Sequence, residues 1–133
     1  MSAYIVTTDV TDTQAKAFIT ANDSRVTTWM ARANEEVESI AQELNVPVAS
    51  ISTPVHPKIK EYALAYFCFV VFQDVFTTNN VENPEIEKYK LKLDWYESRC
   101  TKLRPTLTYE MYIYTSTAIQ AHNRVGAGRL WRG

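Results

Sequence analysis

From Val26 to Leu44 the apolar residues Val26, Trp29, Met30, Ala33, Val37, Ile40, Ala41 and Leu44 are spaced by three, one, three, four, three, one and three. This is the repeat of one helical face, and Arg32, Glu35, Glu36, Glu38 and Gln42 fall on the opposite, wet side. The pattern predicts a first long helix over about 24–45, opened by the cap-forming cluster Asn22-Asp23-Ser24 and closed before Pro47. The segment NVPVASISTPVHP, with three prolines, reads as a loop. Pro57 suits the first turn of a second helix over about 57–77, whose centre YALAYFCFVVF is apolar on every side and so belongs at the middle of the fold. After TTNNVEN, Pro84 opens a third helix to about 103, with Ile86, Tyr89, Leu93, Tyr96, Cys100 and Leu103 in helical register. Leu91 and Trp95 lie off that stripe. They are either a second apolar face that meets something beyond the domain's own core, or the margin of one wide core-facing stripe.

Two stretches lack this period. AYIVTT at 3–8 is β-prone and predicted to be extended. Residues 106–117, TLTYEMYIYTST, alternate: Leu107, Tyr109, Met111 and Ile113 share one side, and Thr108, Glu110, Tyr112 and Tyr114 the other, which predicts a strand. Two strands are too few for a sheet-based domain, so they either pair on the helices or complete β-structure with other copies. Between the first of them and the long helices, TDTQAKAFITA carries a Thr-x-x-Gln capping box at Thr11 and predicts a helix of about three turns. The expected class is mainly α: a three-long-helix bundle with a short N-terminal helix, a β segment at about 106–117 and an extended C-terminal arm.

Composition changes this picture only at the end of the chain. A hydrophobic share of 46% and a charged share of 22% over 133 residues fit one soluble globular domain, placed at 1–121. Residues 122–133, HNRVGAGRLWRG, hold all three glycines and three arginines, with no acid. They read as a flexible basic arm with Gly126 and Gly128 as its hinge. Residues 1–98 hold eight Lys/Arg against fourteen Asp/Glu, net −6, whereas 99–133 hold six against Glu110 alone, net +5. Opposite signs at the two ends suit head-to-tail contact between copies or docking on an acidic partner. A chance imbalance with a solvated tail is the plainer alternative. The longest apolar run, Ala63 to Phe72, is about half of a membrane span, so no membrane segment is expected. MSAYIVTTD does not resemble a signal peptide. Cys68 and Cys100 lie on apolar positions and read as core thiols of a reducing compartment.

Candidate chemistry is sparse. His56 and His122 have no Cys, Asp or Glu at ligand spacing, and no HExxH or CxxC occurs, so no metal site is expected. Phosphate-binding fingerprints need glycines, and none precedes residue 126. Glu35-Glu36-Val37-Glu38 reads as a solvated helical face rather than a catalytic carboxylate pair. No nucleophile has an evident base, and the chain is expected to be no enzyme and to need no cofactor. In the arm, Leu130 and Trp131 between Arg129 and Arg132, with Arg124 before the hinge, look like a docking peptide that orders on a partner.

The order of elements resembles the head–tail connector (adaptor, or head-completion) proteins of tailed double-stranded DNA bacteriophages. The resemblance rests on three stretches within residues 5–104: the helix from Ala33 to Leu44, with Val37, Ile40 and Ala41; KEYALAY at the head of an apolar helix ending at Phe72; and the lysine-rich YKLKLDWYESR. It implies a helical subunit of a homo-oligomeric ring, typically a dodecamer, in the virion neck and assembled in the host cytoplasm. Such a ring sits beneath the portal protein, extends a channel through which DNA passes, and meets a stopper, tail-terminator or other neck protein. By the same resemblance Arg124, Arg129, Leu130, Trp131 and Arg132 would be the portal-docking arm. The 106–117 segment, with Tyr112 and Tyr114, would join Leu91 and Trp95 as inter-subunit or tail-side contacts. Two alternatives stand beside it: a small helical nucleic-acid-binding or regulatory protein using the basic tail, and a different phage neck or tail-completion protein.

Overall fold

The computed structural model describes residues 4–21, 23–78 and 86–113. The described chain is mainly helical: α1 Thr13–Ala21, α2 Asp23–Glu43, α3 Pro57–Thr78, α4 Ile86–Leu103 and a single turn, α5, Tyr109–Tyr112, with short 3₁₀ turns at Thr7–Asp9, Val48–Ser50 and Arg104–Thr106. The three long periodic segments are helices close to their predicted bounds. The arm at 122–133 lies outside the described residues.

α3 is the centre. Its apolar residues leave no wet face, and Ile59, Tyr62, Ala63, Phe67, Val70, Val71, Phe72 and Val75 are all buried. Helix α3 packs against α1, α2, α4 and α5. Helix α2 meets it through Trp29, Ala33, Val37, Ile40 and Ala41, the stripe that the spacing marks out. Each large side chain buried there contributes about 1.5–3 kcal/mol. Polar ties cross the same seams: the Trp29 indole N–H donates to Asp74 Oδ2 at 2.9 Å, the Tyr62 hydroxyl to Glu36 Oε2 at 2.6 Å, and Arg99 on α4 pairs with Glu61 on α3. Helix α1 is held by aromatic edges, with Phe18 set 5.3 Å from Tyr89 and 5.8 Å from Phe72, while Phe72 stacks on Tyr96.

A body without glycine still closes its longest amphipathic helix through the left-handed region. Asn45 adopts φ 63°, and the amides of Asn45 and Val46 donate to the carbonyls of Gln42 and Ala41 at 3.0 and 2.8 Å. This is a Schellman closure, with buried Val46 as its apolar contact. Asn is among the few non-glycine residues that enter this region at low cost. The helix therefore ends through its own backbone before Pro47 is reached.

Neither predicted strand forms among the described residues; residue 3 and residues 114–117 lie outside them. Tyr4 and Ile5 bury against the core as irregular chain: the Tyr4 amide donates to Asn34 Oδ1 at 3.0 Å and its hydroxyl to Glu38 Oε2 at 2.8 Å, so α2 side chains take the place of a partner strand. Within the predicted 106–117 strand, residues 106–113 form the end of a 3₁₀ turn and then α5, and there is no strand among the described residues. Thr108 Oγ1 accepts from the Met111 amide at 3.4 Å as an N-cap, Leu107 is buried, and the Tyr112 hydroxyl donates to the Val37 carbonyl at 2.8 Å. Those long-range contacts outweigh a weak local β preference. One smaller correction concerns α1, whose cap is Asp12 and not Thr11: Asp12 Oδ1 accepts from the amides of Gln14 and Ala15 at 2.9 and 3.0 Å.

Candidate interaction surface

Helix α4 divides into three faces. Tyr89, Leu93, Tyr96, Cys100 and Leu103 pack on the core. Glu87, Asp94 and Glu97 are exposed on the far side, where Lys90 pairs with Asp94 one turn away at 2.8 Å. Between these faces, Lys88, Leu91, Lys92, Trp95 and Arg99 follow one another at steps of three, one, three and four, so they share a stripe without an acid. Leu91 is 70% exposed and Trp95 55%, which settles that they are no margin of the core stripe.

The stripe is organised by what lies under it. Lys92 reaches back to α1, where its ammonium donates to Asp12 Oδ2 at 2.7 Å, and the Tyr96 hydroxyl donates to the same oxygen at 2.8 Å. The Asp12 side chain is only 6% exposed. Burial would raise its pKa, but the bonds from Lys92, the Ala15 amide and Tyr96 reverse that and hold it below the usual carboxylate range. At the other end, the Arg99 guanidinium lies 5.5 Å from the Trp95 ring centre, and Tyr96 meets that ring edge-on at 4.8 Å. Trp95 is thus held in place while its outer surface stays open. Between the start of α1 and the stripe runs a groove of about 570 Å³, bounded by Asp12, Gln14, Lys88, Leu91, Lys92 and Trp95.

Of the residues singled out from sequence, Leu91 and Trp95 come together on this surface. Tyr112 does not join them. It is wholly buried, with burial pushing its phenol pKa up, and it anchors α5 rather than meeting another molecule. Tyr114, Arg124, Gly126, Gly128, Arg129, Leu130, Trp131 and Arg132 lie outside the described residues. The cluster around Glu36 is more than a solvated face. Glu36 accepts from Tyr62 and from Arg104 Nε at 3.3 Å, and Arg104 also bonds Glu43 at 2.7 Å, which ties the end of α4 to α2. His56 turns its Nδ1 to the Lys58 amide at 3.0 Å, at the start of α3. Its pKa is lowered by burial and by nearby Lys58.

Sequence reasoning missed Asp12, Gln14 and the cationic members of the stripe. The helical spacing from Lys88 to Arg99 was readable, but the groove wall comes from α1, some eighty residues earlier. Among the described residues there is no group of three side chains able to hold a metal ion, and no helix long and apolar enough to cross a membrane. No protein-family model, curated protein or solved structure matches the chain.

Proposed function

We propose that the chain is a structural virion protein, a head-to-tail adaptor that forms a ring beneath the portal of a tailed phage, extends the DNA channel and links the portal to the neck and tail. The observation that carries this reading is the exposed pair Leu91 and Trp95 on the outer face of α4, with Trp95 packed against Arg99 and Tyr96. A large aromatic fixed by neighbours yet open to water is the side-chain type that anchors protein interfaces. In this reading α2, α3 and α4 are the three-helix bundle of each subunit, and the role is mechanical rather than catalytic. The charge pattern supports contact between unlike faces: residues 4–78 carry nine acids and five bases, and residues 86–113 six bases and four acids. The resemblance in element order supports the phage neck as the setting, and the Leu130-Trp131 arm as the portal contact.

Deleting residues 123–133 is expected to leave the helical fold intact and abolish co-purification with a portal ring. A truncated chain that still assembles on the portal refutes the arm assignment. A second reading, nucleic-acid binding, draws on the same stripe, because Lys88, Lys92 and Arg99 flank a stacking-competent Trp95. Against it, Lys92 is neutralised by Asp12 and Arg99 by Glu61. Retention on a DNA column that falls steeply with salt would favour this second reading. An adaptor, whose channel must let DNA slide, is expected to show negligible retention.

A further inference from the structure

The start of α3, Val55-His56-Pro57-Lys58, depends on a single proton. Pro57 is the first helical residue and has no N–H, so the first amide of α3 that needs an acceptor is that of Lys58. Position 56 carries none of the usual capping residues, and the imidazole of His56 takes their part. Its Nδ1 accepts from the Lys58 amide at 3.0 Å, and its carbonyl accepts from the Lys60 amide at 3.0 Å, the first bond of the helical ladder. His56 is therefore the N-cap of the most enclosed helix of the fold.

A serine or asparagine cap works at any pH, but an imidazole nitrogen accepts a hydrogen bond only while it is unprotonated. With Nδ1 as acceptor, the neutral ring carries its proton on Nε2. A second proton goes to Nδ1, where it points at the Lys58 N–H, so a donor then faces a donor. The same proton puts a positive charge at the positive end of a 22-residue helix. Charges on the first turn of α3 and on the elements packed against it do not offset this. Lys58 adds repulsion, Lys60 holds Asp9 of the Thr7–Asp9 turn at 3.2 Å, Glu61 is paired with Arg99 of α4, and Glu110 of α5 is exposed. The ring is half-buried, within reach of a proton from solvent.

We infer that His56 is an acid-sensitive cap: on protonation its ring leaves the Lys58 amide and the first turn of α3 opens. Partial burial and Lys58 both lower the pKa of the ring, in keeping with a cap that works only when neutral. The folded chain then binds fewer protons than the unfolded chain. Its stabilisation by the cap is complete above the unfolded pKa of about 6.5 and is lost as pH falls through that value toward the lower, folded one.

Nuclear magnetic resonance on the full chain tests the device. The His56 ring signals, told apart from those of the second histidine with a His122→Gln variant, are expected to titrate below the unfolded value of about 6.5. Hydrogen exchange at the Lys58 amide, corrected for its intrinsic rate, is expected to lose protection about fivefold across that titration, the worth of an N-cap. His56→Asn keeps an acceptor that does not titrate, and should hold Lys58 protected over the same range. Circular dichroism checks that this variant folds, and the two wild-type measurements decide by themselves if it does not. A ring that titrates at or above about 6.5 overturns the acid-sensitive cap. So does a Lys58 amide whose protection is unchanged across the titration, or an equal loss in His56→Asn.

Discussion

Removing the Asp12 carboxylate is the most informative single change to the described fold. One side chain there performs three tasks: it caps α1 through the amides of Gln14 and Ala15, pairs with Lys92 on α4, and accepts from the Tyr96 hydroxyl. Loss of an N-cap costs about 1 kcal/mol. Leaving the Tyr96 hydroxyl without its acceptor adds about 1 kcal/mol. The Lys92 ammonium, with a side chain 40% exposed, recovers much of its hydration, so the lost ion pair adds only about 0.5–1 kcal/mol. Asp12→Ala is therefore expected to lower stability by about 2.5–3 kcal/mol, a fall in Tm of roughly 7–12 °C for a chain of this size. Asp12→Asn keeps an oxygen for the cap and is expected to lose about half as much. Urea denaturation of the three proteins at pH 7 measures both values. The gap between wild type and Asp12→Asn also has a pH signature. The folded carboxyl titrates below its unfolded value of about 3.9, so its stabilisation is complete above about pH 5. It declines as pH falls through the unfolded and then the folded pKa. An Asp12→Ala variant within 0.5 kcal/mol of wild type, or a gap that widens in acid, refutes the assignment.

Two further measurements probe the core. Tyr112→Phe removes only the hydroxyl that reaches the Val37 carbonyl and should cost about 1 kcal/mol in denaturant unfolding; an unchanged midpoint argues against helical anchoring of residues 109–112. Burial pushes the Cys68 thiol up to about 11, so at pH 8 it should react with a disulfide reagent only as fast as the protein unfolds, whereas half-buried Cys100, pushed up to about 12, should react slowly because little of it is thiolate. Rapid labelling of either thiol in native buffer contradicts that burial.

How much was legible depended on how local the deciding interactions are. Helices α2 and α4 follow from periodicity because their stripes repeat over five or six turns, whereas α3 follows from a long apolar run opened by Pro57 and is the most enclosed element. Residues 106–113 were misread because an eight-residue alternation of Thr and Tyr matches a strand. What decides their shape is a bond from Tyr112 to a carbonyl seventy-five residues earlier. The same distance hides the candidate site. Leu91 and Trp95 stood out locally, but Asp12 and Gln14 become part of it only after α1 folds back onto α4. Asp12 looked like the second residue of a capping box at Thr11, and no local signal pointed to its second role beneath Lys92.

The uniformly apolar surface of α3 also bears on synthesis. An amphipathic helix can wait in water with one face satisfied, but the centre of α3, from Tyr62 to Phe72, cannot, because it is apolar all round. Residues 57–78 leave the ribosome before α4 is made, and the side that α4 covers stays bare until residues 86–103 follow. During that interval the nascent chain displays the kind of surface that holdase chaperones bind and that aggregation exploits. The close succession of α3 and α4 shortens this interval, so a stall between them is the most hazardous point in making the protein.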